Sequence, residues 1–71
     1  MIAQKLKAYI DENGYKQRVI AAKAGIGEQT LSDILNGRRQ LKADVFADIC
    51  SALGKSLDFF VESEEAANEK E

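Results

Sequence analysis

The stretch AAKAGIGEQTLSDILNG, residues 21–37, contains a helical pattern that breaks at Gly25-Ile26-Gly27 and resumes at once. A Gly-x-Gly before a helix can cradle a phosphate group, or it can form a tight bend that sets one helix across another. A phosphate-binding loop would follow a β-strand and carry a third glycine at a set spacing, or a Gly-Lys-Ser/Thr sequence. Here a helical segment precedes the glycines, and Gln29 and Thr30 follow them. The pattern therefore favours the bend.

Each residue of the break suits a bend. Gly25 comes just past the end of a helix, where the chain needs a positive φ that strains other residues. Ile26 is a lone apolar residue, so we expect it to fold back into the core. Gly27 is an acceptable N-cap, and Glu28 places a negative charge where the dipole of the next helix favours it. The stretch thus predicts a helix-turn-helix.

The rest of the chain also has helical periodicity, because apolar residues recur at three- and four-residue steps and no segment alternates usefully with period two. A first stripe, Ile2, Leu6, Tyr9 and Ile10, ends at Asn13-Gly14. Further helices are predicted at about residues 16–24, 28–36 and 43–53, with a short last one after Ser56. The residues predicted to face the core are Ile20, Ala21, Ala24, Leu31, Ile34, Leu35, Phe46, Ile49, Cys50 and Leu53, with Leu57, Phe60 and Val61 on the last helix. The fold class is therefore all-α, a compact five-helix domain over residues 1–61.

The charge is unevenly distributed along the 71 residues, of which 45% are hydrophobic and 31% charged. Residues 62–71, ESEEAANEKE, hold five acids and one base, so the net charge of −2 conceals a mildly basic body of nine bases and seven acids. This segment lacks large apolar residues, and we expect a flexible, disordered acidic tail. A solubilising end is favoured over a tail that mimics nucleic acid and competes for a basic face.

Composition excludes several classes of protein. The single Cys50 cannot form an internal disulfide and lies in an apolar helical pattern, so a core role is favoured. With no His and one Cys there is no zinc set, and no nucleophile–base pair can be nominated. No apolar run is long enough for a membrane span or a signal peptide. We therefore expect a cytoplasmic protein that is not an enzyme and needs no metal or cofactor.

The run GYKQRVIAAKAGIGEQTLSDILNGRR, residues 14–39, resembles the lambda-repressor-like, Cro-type (XRE) family of DNA-binding domains. The segment ALGKSLDFF, residues 52–60, resembles the end of the same fold, and the likeness covers about residues 2–61. The positions that match in register are Gln17, Ala21, Gly25, Ile26, Leu31, Ile34, Asn36, Gly37, Arg38 and Arg39. The resemblance implies that the helix of about residues 28–36 enters the major groove of DNA.

The resemblance also implies which residues contact DNA. The base-reading residues are Glu28, Gln29, Ser32 and Asp33. The amide of Gln29 can pair with adenine. The carboxylates of Glu28 and Asp33 would accept a hydrogen bond from the cytosine amino group or disfavour other bases. The phosphate-binding residues are Lys16, Gln17, Arg18, Thr30, Asn36, Arg38, Arg39 and Lys42. Taken alone, the basic side chains among them would indicate an ordinary solvent-exposed surface. Together with the helix-turn-helix motif, they favour contact with DNA.

The function expected from this resemblance is that of a sequence-specific transcriptional regulator of double-stranded DNA, a small repressor of bacterial or prophage type. A homodimer on a palindromic operator is expected, because one short helix reads few bases. Phe59 and Val61 are candidates for the dimer surface, with packing of Phe59 against helix 43–53 as the alternative. A second hypothesis, a protein-binding module such as an antitoxin or a repressor's partner, draws on Glu28, Asp33 and the acidic tail.

The chain departs from the family at one pair of positions. Many relatives pair an Arg in the first helix with a Glu just before the Asn-Gly, whereas this sequence has Ile10 and Leu35 there. Apolar groups often replace a buried ion pair without loss of stability, provided that both members change together. We therefore expect Ile10 and Leu35 to be in contact.

Overall fold

The computed structural model describes residues 2–61, which form five helices and no strand. The helices are α1 (Ile2–Glu12), α2 (Gln17–Ala24), α3 (Glu28–Leu35), α4 (Ala43–Leu53) and α5 (57–61). The all-α prediction is confirmed within this range. The predicted disorder of the acidic tail, residues 62–71, lies outside the described residues.

The bend between α2 and α3 has the predicted geometry. Gly25 is left-handed, with φ 77° and ψ 26°, and the N–H of Ile26 donates to the carbonyl of Ala21 at 3.0 Å. Such a hydrogen bond satisfies a carbonyl at the end of a helix. Ile26 is half-buried and packs against the core. Gly27, with φ −71° and ψ 151°, is extended and precedes the first residue of α3. The chain therefore leaves α2 and enters α3 within three residues.

The core forms where α2 packs against α3 and α4, and α1 packs against α3. Every residue predicted to face inward from α2, α3 and α4 is buried. Leu6, Ile10, Leu31, Ile49 and Cys50 have no exposed surface at all. Full burial of a large aliphatic side chain contributes about 1.5–3 kcal/mol, so these positions carry much of the stability of a small domain. Within residues 2–61, no buried residue is polar or charged.

Aromatic contacts attach α5 to the rest of the domain. The ring centroid of Phe60 lies 5.7 Å from that of Tyr9 in α1 and 6.3 Å from that of Phe46 in α4. Phe59 also reaches Tyr9, at 5.5 Å between centroids. Edge-to-face pairs of this kind add to the stability gained by burial. The last helix thus closes the domain by packing across α1 and α4.

Three details differ from the predicted elements. Helix α2 begins at Gln17 rather than Lys16, because Lys16 is extended and serves as its N-cap. Helix α3 ends at Leu35, because Asn36, with φ −97° and ψ 7°, has left the helical conformation and caps it. Leu57, expected to pack inward, is 41% exposed. A helix as short as α5 buries one face, and Phe60 occupies that face.

Ile10 and Leu35 are both buried in one cluster, on helices that pack against each other. This arrangement agrees with the expected contact between their side chains. The direct contact itself stays a prediction.

Candidate nucleic-acid interface

The N-terminal turn of α3 is open to solvent. The first hydrogen bond into the helix runs from the Leu31 N–H to the Gly27 carbonyl at 3.0 Å, and Gly27 provides no side-chain cap. Among the described residues, the N–H groups of Glu28, Gln29 and Thr30 therefore have no acceptor. Unpaired N–H groups at a helix start favour an anion such as phosphate. The side chains of Glu28 and Gln29 are exposed beside them, and that of Thr30 is half-buried.

Asp33, one turn later, is the centre of a polar network. Its Oδ1 accepts a hydrogen bond from Gln29 Nε2 at 3.0 Å and one from Arg38 Nε at 3.1 Å. The hydrogen bond from Gln29, that from Arg38 and the positive charges of Arg38 and Arg39 hold the pKa of Asp33 below its ordinary value. Ser32 and Asp33 are only half-buried. The sequence predicted four base-reading residues on α3, and two of them, Gln29 and Asp33, are hydrogen-bonded to each other.

Asn36, predicted to contact phosphate, closes the C-terminal end of α3. Its Nδ2 donates to the Ser32 carbonyl at 2.8 Å, and its Oδ1 accepts from Lys7 Nζ at 3.1 Å. The amide is thus engaged within the protein while staying exposed. Lys7 was not among the predicted site residues. The contact joins residues 29 positions apart in the chain, so no local pattern indicated it.

The loop after α3 holds the two arginines against the end of the helix. Gly37 has φ 80°, and after it the N–H groups of Arg38 and Arg39 both donate to the Asp33 carbonyl, at 2.7 and 3.2 Å. A side chain would be strained at that φ. Both arginines are exposed, and the Arg38 side chain keeps 60% of its surface accessible while paired with Asp33. Lys42, the exposed N-cap of α4, follows in the same loop.

The start of α2 is a second open helix terminus. The Lys16 carbonyl accepts from the N–H groups of Val19 and Ile20 at 3.0 and 3.1 Å, and the Lys16 side chain does not cap the helix. The N–H groups of Gln17 and Arg18 therefore have no acceptor among residues 2–61. Lys16 and Arg18 are exposed and Gln17 is half-buried. No hydrogen bond or ion pair within the described range joins these three residues to α3, although α2 itself packs on α3.

Phe59 and Val61, predicted for a dimer surface, have different surroundings. Phe59 is 46% exposed, and Lys55 Nζ lies 5.0 Å from the centroid of its ring. Its aromatic neighbours are Tyr9 in α1 and Phe60 in α5, and no ring pair within the described range joins it to α4. Val61 is half-buried against the core, because it follows the anchored Phe60 in the chain.

Other kinds of site find no support in the described part of the chain. Residues 2–61 contain no group of three or more His, Cys, Asp or Glu side chains that could hold a metal ion. Burial raises the pKa of the Cys50 thiol, which keeps it protonated in the core. No helix within this range has the length and apolar character needed to cross a membrane.

Comparison with known proteins identifies the family. The family model described as Helix-turn-helix (HTH_3) matches residues 6–60 of the chain. No curated protein and no solved structure matches this chain. The matched family is one of DNA-binding regulatory domains and not of enzymes. The matched range begins in α1 and ends in α5, and it includes the bend and both open helix termini. The chain therefore belongs to the helix-turn-helix family of XRE-type, lambda-repressor-like domains and is a DNA-binding regulator of that general kind.

Proposed function

We propose that this protein is a sequence-specific repressor of bacterial or phage type that inserts α3 into the major groove of double-stranded DNA. The observation that carries the proposal is the open N-terminal turn of α3, which the bend at Gly25 and Gly27 separates from α2. An α-helix fits the major groove, and side chains on its first turns can reach base edges there. A cytoplasmic location follows from this role.

Base reading is assigned to the outward side of α3. Gln29 reads adenine, because its amide offers one donor and one acceptor to adenine N7 and the N6 amino group. Glu28, next to it, accepts from cytosine or repels other bases, and Ser32 contacts a base one turn later. Asp33 belongs to the same surface, but its Oδ1 is already shared by Gln29 and Arg38.

Phosphate contacts are assigned to the groups around α3. The free N–H groups of Gln17 and Arg18 donate to one phosphate at the start of α2, and those at the start of α3, up to Thr30, donate to another. The cationic side chains are Lys16, Arg18, Arg38, Arg39 and Lys42, to which we add Lys7 because it bonds Asn36 at the end of α3. The two acids of the predicted interface are Glu28 and Asp33, and Arg38 already pairs with Asp33. The proposed interface is therefore positive overall.

A homodimer on a palindromic operator completes the proposal. One helix of eight residues reads too few bases for useful specificity, and two-fold symmetry doubles the number read. The dimer surface is assigned to Phe59, because it is a large apolar side chain left 46% exposed, and half-buried Val61 lies at its edge. Leu57 of the same helix is exposed as well, and contiguous exposed apolar surface is a feature of association sites.

Selection of bound sites from random duplexes tests the proposal. The expected result is a palindrome, with loss of preference at one position in each half-site when Gln29 is changed to alanine. Gln40 is a matched control, since it is an exposed glutamine outside α3, and Gln40→Ala should leave every preference intact. Recovery of no common sequence would contradict the proposal.

A salt titration separates the proposed function from the protein-binding alternative. Each phosphate contact lowers log K by about 0.9 per unit of log salt concentration, so six cationic side chains in each half of a dimer set an upper limit of about 11. A steep linear fall is expected. An antitoxin or a repressor's partner that binds through apolar surface would show little salt dependence and no affinity for duplexes. The exposed Glu28 favours that reading, whereas the pairing of Asp33 with Arg38 weakens it.

A further inference from the structure

Asp33 bonds to three other residues at the α3 surface, Gln29, Arg38 and Arg39, through its side-chain carboxylate and its backbone carbonyl. Its Oδ1 accepts from Gln29 Nε2 at 3.0 Å and from Arg38 Nε at 3.1 Å. Its backbone carbonyl accepts from the N–H groups of Arg38 at 2.7 Å and Arg39 at 3.2 Å. One residue thus holds a side chain of the preceding turn and both arginines of the following loop.

The carboxylate of Asp33 determines which way the Gln29 amide faces. An ionised carboxylate only accepts hydrogen bonds, so the NH₂ group of Gln29 and not its oxygen must point towards it. The lowered pKa, caused first by the hydrogen bond from Gln29 and next by that from Arg38, keeps Asp33 ionised at neutral pH. Because the amide is planar, Oε1 then points away from Asp33. The free side chain would have two orientations, and the folded domain selects one.

We propose that Asp33 is a positioning residue that fixes the Gln29 amide for adenine and holds Arg38 beside it, rather than a residue that reads a base itself. This inference rests on the proposed function, because it assigns Gln29 to a base edge. It replaces the direct role for Asp33 that the sequence suggested. Asp33 acts through Gln29 and Arg38 and touches no nucleotide.

The chemical consequence is discrimination between adenine and guanine. With one amide hydrogen on Asp33, Gln29 keeps its second hydrogen and Oε1, the pair that matches adenine N7 and the N6 amino group. Guanine offers two acceptors, N7 and O6, at the same edge, so its O6 would face Oε1 without a hydrogen between them. An amide released from Asp33 can turn and donate to guanine instead. Loss of Asp33 should therefore relax the choice between the two purines.

The first experiment examines the free protein and needs no DNA. Side-chain amide resonances of ¹⁵N-labelled protein are followed by NMR as the pH is lowered, in a Glu28→Gln background because Glu28 is a second carboxylate next to Gln29 in the chain. The other charges near Asp33 are Arg38 and Arg39, with Lys7 at the end of α3. The Gln29 amide should shift with a midpoint below the ordinary aspartate pKa of about 3.9.

Two comparisons give this experiment its controls. In Asp33→Asn the Gln29 shift should disappear, and the exposed amide of Gln40 should stay constant in both proteins. A Gln29 amide that does not titrate, or that still titrates in Asp33→Asn, would overturn the inference whatever the protein binds.

The second experiment measures affinity for duplexes that differ only at the base pair affected by Gln29→Ala. Asp33→Ala should bind all duplexes more tightly, because a negative charge is removed, while its preference for adenine over guanine falls by about tenfold. Asp48→Asn is the matched control, since it removes a negative charge from an exposed position of α4 outside the proposed interface and should leave that preference unchanged. The combination of higher affinity and lower discrimination is not expected of a residue with a purely structural role.

Three results would overturn the inference. Loss of discrimination at a different base pair would mean that Asp33 reads that base directly. Equal loss at all positions, together with a lower melting temperature, would mean that Asp33 only supports the fold. Failure of the wild-type protein to bind any duplex, with the NMR titration as expected, would refute the proposed function and the adenine role with it.

Discussion

The bend between α2 and α3 can be tested by a pair of substitutions two residues apart, Gly25→Ala and Gly27→Ala. A Cβ added at Gly25 would meet no atom within 4 Å, so steric contact contributes nothing to the cost of the change. The cost comes from the backbone, because Gly25 has φ 77° and L-residues lose about 1–2 kcal/mol in the left-handed region. Part of this loss is offset because alanine restricts the unfolded chain. A net destabilisation of about 1 kcal/mol is expected.

Gly27 is the matched control in the same bend. Its φ of −71° and ψ of 151° suit any residue, and a Cβ there would lie 3.8 Å from Thr30 Oγ1, an ordinary contact. Alanine is a poorer N-cap than glycine, but it also reduces the entropy of the unfolded chain. These effects oppose each other, so the free energy of unfolding should change by less than about 0.5 kcal/mol.

Urea and thermal unfolding followed by circular dichroism measure both variants. For a domain of this size, 1 kcal/mol corresponds to a shift in Tm of about 4–8 °C, so Gly25→Ala should melt within that range below the wild type. Gly27→Ala should stay close to the wild type. An unchanged Tm in Gly25→Ala, or a larger loss in Gly27→Ala, would refute the assignment of the left-handed bend to residue 25.

Three further predictions concern packing, phosphate contact and pH. Leu35→Glu buries a carboxylate at a position only 3% exposed, so it should abolish cooperative melting. Leu35→Met keeps an apolar side chain and should lower the free energy of unfolding by less than about 1.5 kcal/mol. Unchanged melting in the glutamate variant would contradict the packing of α3 on α1. Arg39→Ala should weaken binding to all duplexes alike and reduce the salt slope by about two, because one phosphate contact is lost in each half of the dimer, and a loss confined to one sequence would contradict a phosphate role. The pKa of Asp33 is lower in the folded state than in the unfolded chain, so the unfolded state binds more protons as the pH falls. The stability difference between wild type and Asp33→Asn should therefore be present at neutral pH and disappear as the pH falls through the folded pKa of Asp33; a difference independent of pH would contradict this.

The helices were predictable because their signals are local. Apolar residues at three- and four-residue steps located α1 to α4, and the glycines marked the helix ends, so that residues such as Ile20, Leu31 and Ile49 were assigned to the core. The last helix was harder. Leu57 and Phe60 are both large apolar residues, so the sequence alone does not show which of them is buried. Phe60 is buried because its ring packs against those of Tyr9 and Phe46.

The site was predictable as a set of residues but not as an arrangement. The prediction gave each base-reading residue of α3 a role of its own, whereas Gln29 and Asp33 are hydrogen-bonded to each other. Their spacing of four residues is one at which Gln and Asp side chains pair on a helix, so this signal was present in the sequence. The link from Arg38 to Asp33 depends on the turn at Gly37, and that from Lys7 to Asn36 depends on the packing of α1 against α3. Neither follows from local sequence.

The most direct test of the account is to map the amide NMR shifts of the labelled protein when a selected duplex is added at low salt. Changes should be concentrated at residues 16–18 and 28–42, which include both open helix termini and the arginine loop. The exposed face of α4, represented by Asp48 and Ser51, should stay unchanged. Changes concentrated on α4, or no changes at any duplex concentration, would contradict the assignment of α3 to the major groove.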